Sequence, residues 1–271
     1  MTDITPTATW WNTMYRSNPY TIEPNYSQLV GFHISMVVPD LLHCWNLGVS
    51  RDIIGSALKI ILTDGIIFQG PNLPIRLLLA SESLRQFAKQ RKLPLRLKKL
   101  TKSKLCWKSR QYPSLASSGY DSYVVMLWLQ QLLESYPGYE EMATLVWTSN
   151  NAISLMYSAG LFLTPSEKEN LKVLGNAFLS LYVSLAKKAM DSRKLLWRIR
   201  PKFHLMSHLL ISHRWVNPAA YSTWMDEDYL KKVGKTLNLT SIRSAQKRLL
   251  QRWCLSIPRH LQRTLISKES S

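Results

Sequence analysis

Asp40 ends the first half of the run FHISMVVPDLLHCWNLGV, residues 32–49, at a place where a carboxylate could do chemistry. Phe32, Ile34, Met36 and Val38 alternate with His33, Ser35 and Val37, the period-2 pattern of a half-buried strand, and Pro39 stops it. A carboxylate fixed at the end of a buried strand suits a hard divalent cation, which takes oxygen ligands in fixed positions. The plainer alternative is that Asp40 N-caps the helix that follows. A second acidic group, Asp226, Glu227 and Asp228, opens a helix expected through Tyr229, Leu230, Val233 and Leu237. The helix dipole ordinarily explains acids in a first turn. The chemical alternative is that Glu227, or Asp226 in its place, faces Asp40 across the core. Asp40 and Glu227 would then be metal ligands for Mg²⁺ or Mn²⁺.

His204 and His208 stand four apart on an expected helix, a spacing that permits joint metal ligation. Leu205, Met206 and Ser207 lie between them, so the glutamate of an HExxH motif is absent. A structural pair packed against the core is the favoured reading. His43 falls one turn after Asp40. It reads as a satisfied core side chain that could also hydrogen-bond the acidic site.

The third feature is basic. From Arg85 to Arg110 there are eleven Lys or Arg and no acid, with Leu95, Leu97, Leu100 and Leu105 interspersed and Trp107 near the end. Arg91, Lys92, Arg96, Lys98, Lys99, Lys102, Lys104 and Lys108 are candidates for phosphate-backbone contact. The alternatives are a solvated flexible loop or a nuclear-localisation stretch. Arg243 and Lys247, with Arg248 and Arg252, give the C-terminal helix a second basic side. Over the whole chain 35 Lys and Arg stand against 17 Asp and Glu, a net charge of +18 that points to a polyanionic partner, DNA or RNA.

Other classes are not supported. There is no serine-hydrolase elbow, Gly-rich phosphate loop or dinucleotide fingerprint. Cys44, Cys106 and Cys254 are scattered and form no CxxC pair, which suggests a reduced, intracellular protein, nuclear or otherwise. The N-terminus lacks the basic-then-apolar pattern of a signal peptide, so secretion is not expected. The longest apolar run is broken at Asp64-Gly65, so no membrane partner is expected either.

The elements that must position these residues are mostly helical. Ile53, Ile54, Ala57, Leu58 and Ile61 recur at helical spacing. A helix is expected from about Ile75 to Gln90, and another, capped by Asp121, through Val125, Trp128, Leu129 and Leu132. Tyr136-Pro137-Gly138 ends it, and the next helix spans roughly Glu140 to Ala159. Thr164-Pro165-Ser166-Glu167 supplies an N-cap, a proline at N1 and a capping-box glutamate at N3. Behind it Leu171, Leu174, Phe178, Leu181 and Leu185 form a core-facing stripe. A further helix starts after Pro201, and Ile242, Ala245, Leu249 and Trp253 share one face of the last.

Three blocks together resemble the CACTA-type (En/Spm-like) DDE transposases. Asp40, His43, Leu47 and Gly48 of PDLLHCWNLGV match a D-x-x-H-x-x-x-L-G block that supplies the second carboxylate of their RNase H-like core. RIRPKFHLMSHLL, residues 198–210, resembles the segment K-P-K-x-H-x-x-x-H that precedes the last acid. STWMDEDYLKK, residues 222–232, sits where that family has an aromatic-rich block containing its final Glu. The resemblance implies Mg²⁺-dependent cutting and joining of DNA as the ancestral chemistry, with Asp40 and Glu227 as catalytic ligands and His204 near them.

Upstream of Asp40 only Asp3 and Glu23 are acidic, and neither lies in an apolar strand. The expectation is therefore a C-terminal part of a transposase without its first catalytic Asp, disabled for two-metal chemistry and left with nucleic-acid binding or no activity. A basic helical binding or interaction module without catalytic ancestry is the competing class. A homo-oligomer is left open.

The expected fold is mainly α, with a partial RNase H-like α/β core of few strands and a large all-helical insertion. Residues 1–30 form an aromatic, turn-rich segment and residues 31–62 the strand and helix of the core. Residues 63–200 are the helical insertion, which carries the basic stretch 85–110. Residues 201–255 return to the core with the final acid, and 256–271 are a tail.

Overall fold

The structure, a computed structural model, describes residues 29–31, 36–211, 216–252 and 254–255. It is mainly helical. The chain divides into two compact units, Met1–Ser222 and Thr223–Ser271.

In the first unit the helix that follows Asp40 is irregular. Helix α1 (Leu42–Val49) is a π-helix that runs into α2 (Ser50–Asp64). Gly48 has non-helical angles (φ −131°, ψ −105°), and a Cβ there would lie 2.7 Å from the His43 carbonyl oxygen and 2.9 Å from Lys202 Cδ. The wide turn thus survives because position 48 has no side chain. Ser50 Oγ donates to the Trp45 and Asn46 carbonyls at 2.9 and 3.3 Å and closes the join. Gly65 ends α2 in the left-handed region (φ 69°), where glycine carries no Cβ penalty.

The next helices have the signals that their sequences carry. Asn72 accepts the Ile75 N–H at 3.1 Å and starts α3 (Leu73–Gln90). Ser118 accepts the Asp121 N–H at 3.1 Å and starts α4 (Gly119–Glu134). The cap is therefore Ser118, not Asp121, which sits at N3 and accepts the Ser118 hydroxyl at 2.9 Å. Helix α5 covers Glu140–Ser158. Thr164 and Glu167 form the expected reciprocal capping box ahead of α6 (Pro165–Asp191). Helix α7 is Pro201–Ile211.

The core is one apolar cluster shared by α1 to α7, centred on an aromatic stack. Tyr182 lies 4.5 Å from Phe203 between ring centroids and meets Trp197 edge-on at 6.1 Å. Phe178 meets Trp45 edge-on at 5.8 Å. The Tyr182 hydroxyl donates to the Arg198 carbonyl at 2.8 Å, which satisfies its one polar atom inside the core. Burial first, and the nearby Asp52 charge second, push that phenol far above its ordinary range.

The expected strand needs correction. Residues 32–35 lie outside the described residues. Residues 36–38 are not a strand, and Met36 and Val37 are exposed. Among the described residues the only pairing of strand type is an isolated antiparallel bridge between Phe162 and Val216. An alternating pattern becomes a strand only when a second strand takes up its backbone groups.

The second unit contains α8 (Trp224–Leu237), a short 3-10 turn at Ile242–Ser244 and helical residues at 245–252 and 254–255. None of the α8 side chains is buried. No helix among the described residues is long and apolar enough to cross a membrane.

Candidate nucleic-acid interface

Between α3 and α4 the basic stretch forms an ordered strap over the core. Leu97, Leu100 and Leu105 are buried and Leu93 and Leu95 are half-buried, whereas Arg91, Lys92, Arg96, Lys98, Lys99, Lys102, Lys104 and Lys108 are exposed. Leucines at 93, 95 and 97 with cations at 96 and 98 make an extended, period-2 segment. Among the described residues no strand lies beside it, and side chains take up its backbone donors. Asp121 Oδ1 accepts the N–H of Arg96 at 2.8 Å and that of Leu97 at 3.4 Å. Ser81 Oγ accepts the N–H of Leu100 at 2.9 Å. Farther along, the Leu115 N–H donates to the Arg51 carbonyl at 3.0 Å and the Ala116 N–H to that of Lys104 at 2.7 Å.

Two basic grooves flank the strap. One, of about 800 Å³, is lined by Arg51, Arg96, Lys98, Lys99 and Lys104, with Asp121 as its acid. That carboxylate is already engaged by Ser118 Oγ, at 2.9 Å, and by the strap amides. Arg51 donates through Nη2 to the Ser117 carbonyl. Partial burial, reinforced by Arg200, holds its guanidinium below the usual range.

The other groove, of about 810 Å³, is rimmed by Lys59, Lys102, Lys108, Lys188, Arg193 and Lys194, with Trp107 and Trp197 in its wall. Lys188 pairs with Glu141, and Asp64 accepts from the Tyr139 hydroxyl at 3.4 Å. Arg193 and Trp197, both at φ 53°, occupy the left-handed region, which is uncommon for a bulky residue and locates strain in this wall. Arg91 is otherwise engaged, over the Phe87 ring at 5.6 Å and on Gln131 Oε1 at 3.2 Å.

The blocks around Asp40 and Pro201 pack together. Arg200 Nη2 donates to the Gly48 carbonyl at 3.0 Å and Lys202 Nζ to that of Leu47 at 3.3 Å. Both carbonyls lie at the distorted join between α1 and α2, so the two cations tie the start of α7 to it. Arg200 Nε also lies 2.7 Å from Asp52 Oδ2. Asp52 is a residue that the sequence reading missed. It is almost fully buried, and desolvation raises its pKa despite the Arg200 charge. An acid in the first turn of a helix is too common a signal to have singled it out.

Asp40 does what its plainer reading required. Its Oδ1 accepts the Leu42 N–H at 3.0 Å and its Oδ2 the His43 N–H at 3.2 Å, and the same oxygen meets His43 Nδ1. His43 is half exposed through this contact rather than packed in the core. The Asp40 carboxylate is thus committed to the helix start. Among the described residues no three His, Cys, Asp or Glu side chains gather to hold an ion.

In the second unit Glu227 Oε2 lies 3.8 Å from Lys231 Nζ, and Asp228 Oδ1 3.6 Å from the same nitrogen. Asp226 is exposed, as are Arg243 and Lys247. These acids open α8, where its dipole favours them. Asp40 and Glu227 belong to different units. His204, on α7 in the first unit, is exposed and faces His208.

No family model matches the chain, and no curated protein or solved structure matches it either.

Proposed function

We propose that this chain is a transposon-derived protein that binds the phosphate backbone of DNA or RNA through the strap and its two grooves, and that it binds rather than cuts. The observation that carries this reading is the strap itself, in which buried leucines alternate with exposed cations. A flexible basic loop must be ordered when it binds, at about 1–2 kcal/mol per residue. A strap already held by Asp121 and Ser81 avoids most of that cost and presents Arg96, Lys98, Lys99 and Lys104 in fixed positions. Counterion release from the phosphates supplies the driving force.

Transposase ancestry is supported by the joining of two of the three matched blocks through Arg200, Lys202, Leu47 and Gly48. The basic helical module without catalytic ancestry is favoured instead by the capping role of Asp40. Divalent-metal titration separates the two. Ancestry of a catalytic core predicts Mn²⁺ binding that Asp40→Asn and Glu227→Gln both weaken, and the simple module predicts no effect of either.

Binding is tested by fluorescence anisotropy with labelled duplex and single-stranded oligonucleotides over a range of salt. Affinity should fall steeply with salt. The Lys98→Gln, Lys99→Gln, Lys104→Gln triple variant should flatten the logarithmic slope by about 0.9 for every duplex phosphate it leaves unneutralised. Absent or salt-insensitive binding overturns the proposal.

A further inference from the structure

We infer that His204 and His208 form a two-histidine site for a divalent transition ion of the Cu²⁺, Ni²⁺ and Zn²⁺ class. Helix α7 buries Phe203, Met206, Leu209 and Leu210, so the opposite face carries the histidines. His204 is exposed and His208 half-buried, which removes the reading of the pair as core packing. Four-residue spacing stacks the two side chains one turn apart. Their Nε2 atoms converge to 3.0 Å, with ring planes at 89° and centroids 4.6 Å apart.

At that separation both nitrogens can bond one ion when the two rings are neutral and carry their protons on Nδ1, a form in which each Nε2 offers its lone pair. Metal–imidazole bonds of about 2.05 Å across this gap subtend about 94° at the ion. That is close to the right angle of neighbouring ligands in square-planar and octahedral complexes. A tetrahedral ion needs the nitrogens about 0.3 Å farther apart. Cu²⁺ and Ni²⁺ therefore fit the pair as it stands, and Zn²⁺ fits after a small side-chain adjustment. Mg²⁺ and Mn²⁺ prefer oxygen donors and are not the ions it selects, so the site is separate from any acid-based one.

The test is isothermal titration of the full chain with Cu²⁺, Ni²⁺, Zn²⁺ and Mg²⁺ in turn. His204→Gln, His208→Gln and the double variant are compared, with far-UV circular dichroism as the folding control. The expected result is one equivalent of Cu²⁺ or Ni²⁺, weaker Zn²⁺ and no response to Mg²⁺. Either single substitution should lower affinity at least tenfold, and the double variant should be little worse than a single, because chelation needs both rings. Paramagnetic resonance of the Cu²⁺ form should show two coupled nitrogens, falling to one in each single variant. Equal binding by the wild type and the double variant, or no binding by the wild type, overturns the site.

Discussion

The Asp121 carboxylate on α4 accepts the backbone N–H of Arg96 at 2.8 Å, so one buried acid pins the middle of the basic strap. The same group takes the Leu97 N–H and the Ser118 hydroxyl. Asp121→Ala leaves the two strap amides without their acceptor, at about 1–3 kcal/mol. Urea denaturation should show that loss. Anisotropy should show weaker oligonucleotide binding even though no cation is removed. If affinity instead holds while stability drops, the order of the strap is irrelevant to binding.

Asp52 and Arg200 form a pair whose two members differ in their access to water. The Arg200 side chain is 24% exposed and that of Asp52 2%. Arg200→Met strands a buried carboxylate, and such losses run to about 3–5 kcal/mol. Asp52→Asn keeps a polar group of nearly the same shape beside a less buried guanidinium that still holds the Gly48 carbonyl, so it should cost less than Arg200→Met. The pH dependence follows from the direction of the shift. The folded pKa of Asp52 lies above its ordinary 3.8, so the stabilisation linked to its proton is complete below that value and is lost as pH rises through the folded pKa. Removing Arg200 raises the folded pKa further. Arg200→Met should therefore be less damaging near pH 4 than at pH 7, and equal damage at both would contradict this assignment. Chemical denaturation at the two pH values measures it.

What could be read in the sequence was what depends on neighbours in the chain. The Thr164–Glu167 capping box and the stripe Leu171, Leu174, Phe178, Leu181 and Leu185 encode α6 within a few turns, and the helix forms there with Phe178 fully buried. The alternation over residues 32–38 was equally regular, yet 36–38 do not form a strand. A period-2 pattern says which side chains share a face but not what satisfies the backbone. In the strap the leucines alternate too, and there the acceptors are Asp121 and Ser81, which lie distant in the chain. Asp52 was invisible for the same reason. Its importance comes from Arg200, which reaches it only once α7 has packed onto α1.

Cys44 is buried beside Asp40 and Lys202, and its thiol is pushed up to about 11, by burial first and the Asp40 charge second. At pH 8 only about one such thiol in a thousand is ionised. An aromatic disulfide reagent should therefore label exposed Cys254 quickly and half-buried Cys106 more slowly. Cys44 should react only after denaturant is added. Rapid labelling of three thiols in the native protein would show that α1 opens readily.

Glycine-to-alanine substitutions should have opposite signs at two helical positions. In an open helix interior the change favours folding by about 0.8–1.0 kcal/mol, because glycine loses the most backbone entropy. Gly234 on α8 has no heavy atom within 4 Å of where a Cβ would stand, so Gly234→Ala should stabilise by up to about that amount. Gly55 on α2 differs. A Cβ there would lie 2.5 Å from the Pro113 carbonyl carbon and 2.5 Å from the Ser114 nitrogen. Both are backbone atoms, and the Leu115 N–H beside them is bonded to the Arg51 carbonyl at 3.0 Å, so the segment cannot retreat without breaking that bond. Overpacking of this kind costs about 1–3 kcal/mol or more, which outweighs the helix preference. Gly55→Ala should lower the melting temperature and Gly234→Ala should not. Because residues 113–115 close the strap onto α2, the Gly55 variant should also bind oligonucleotides less tightly.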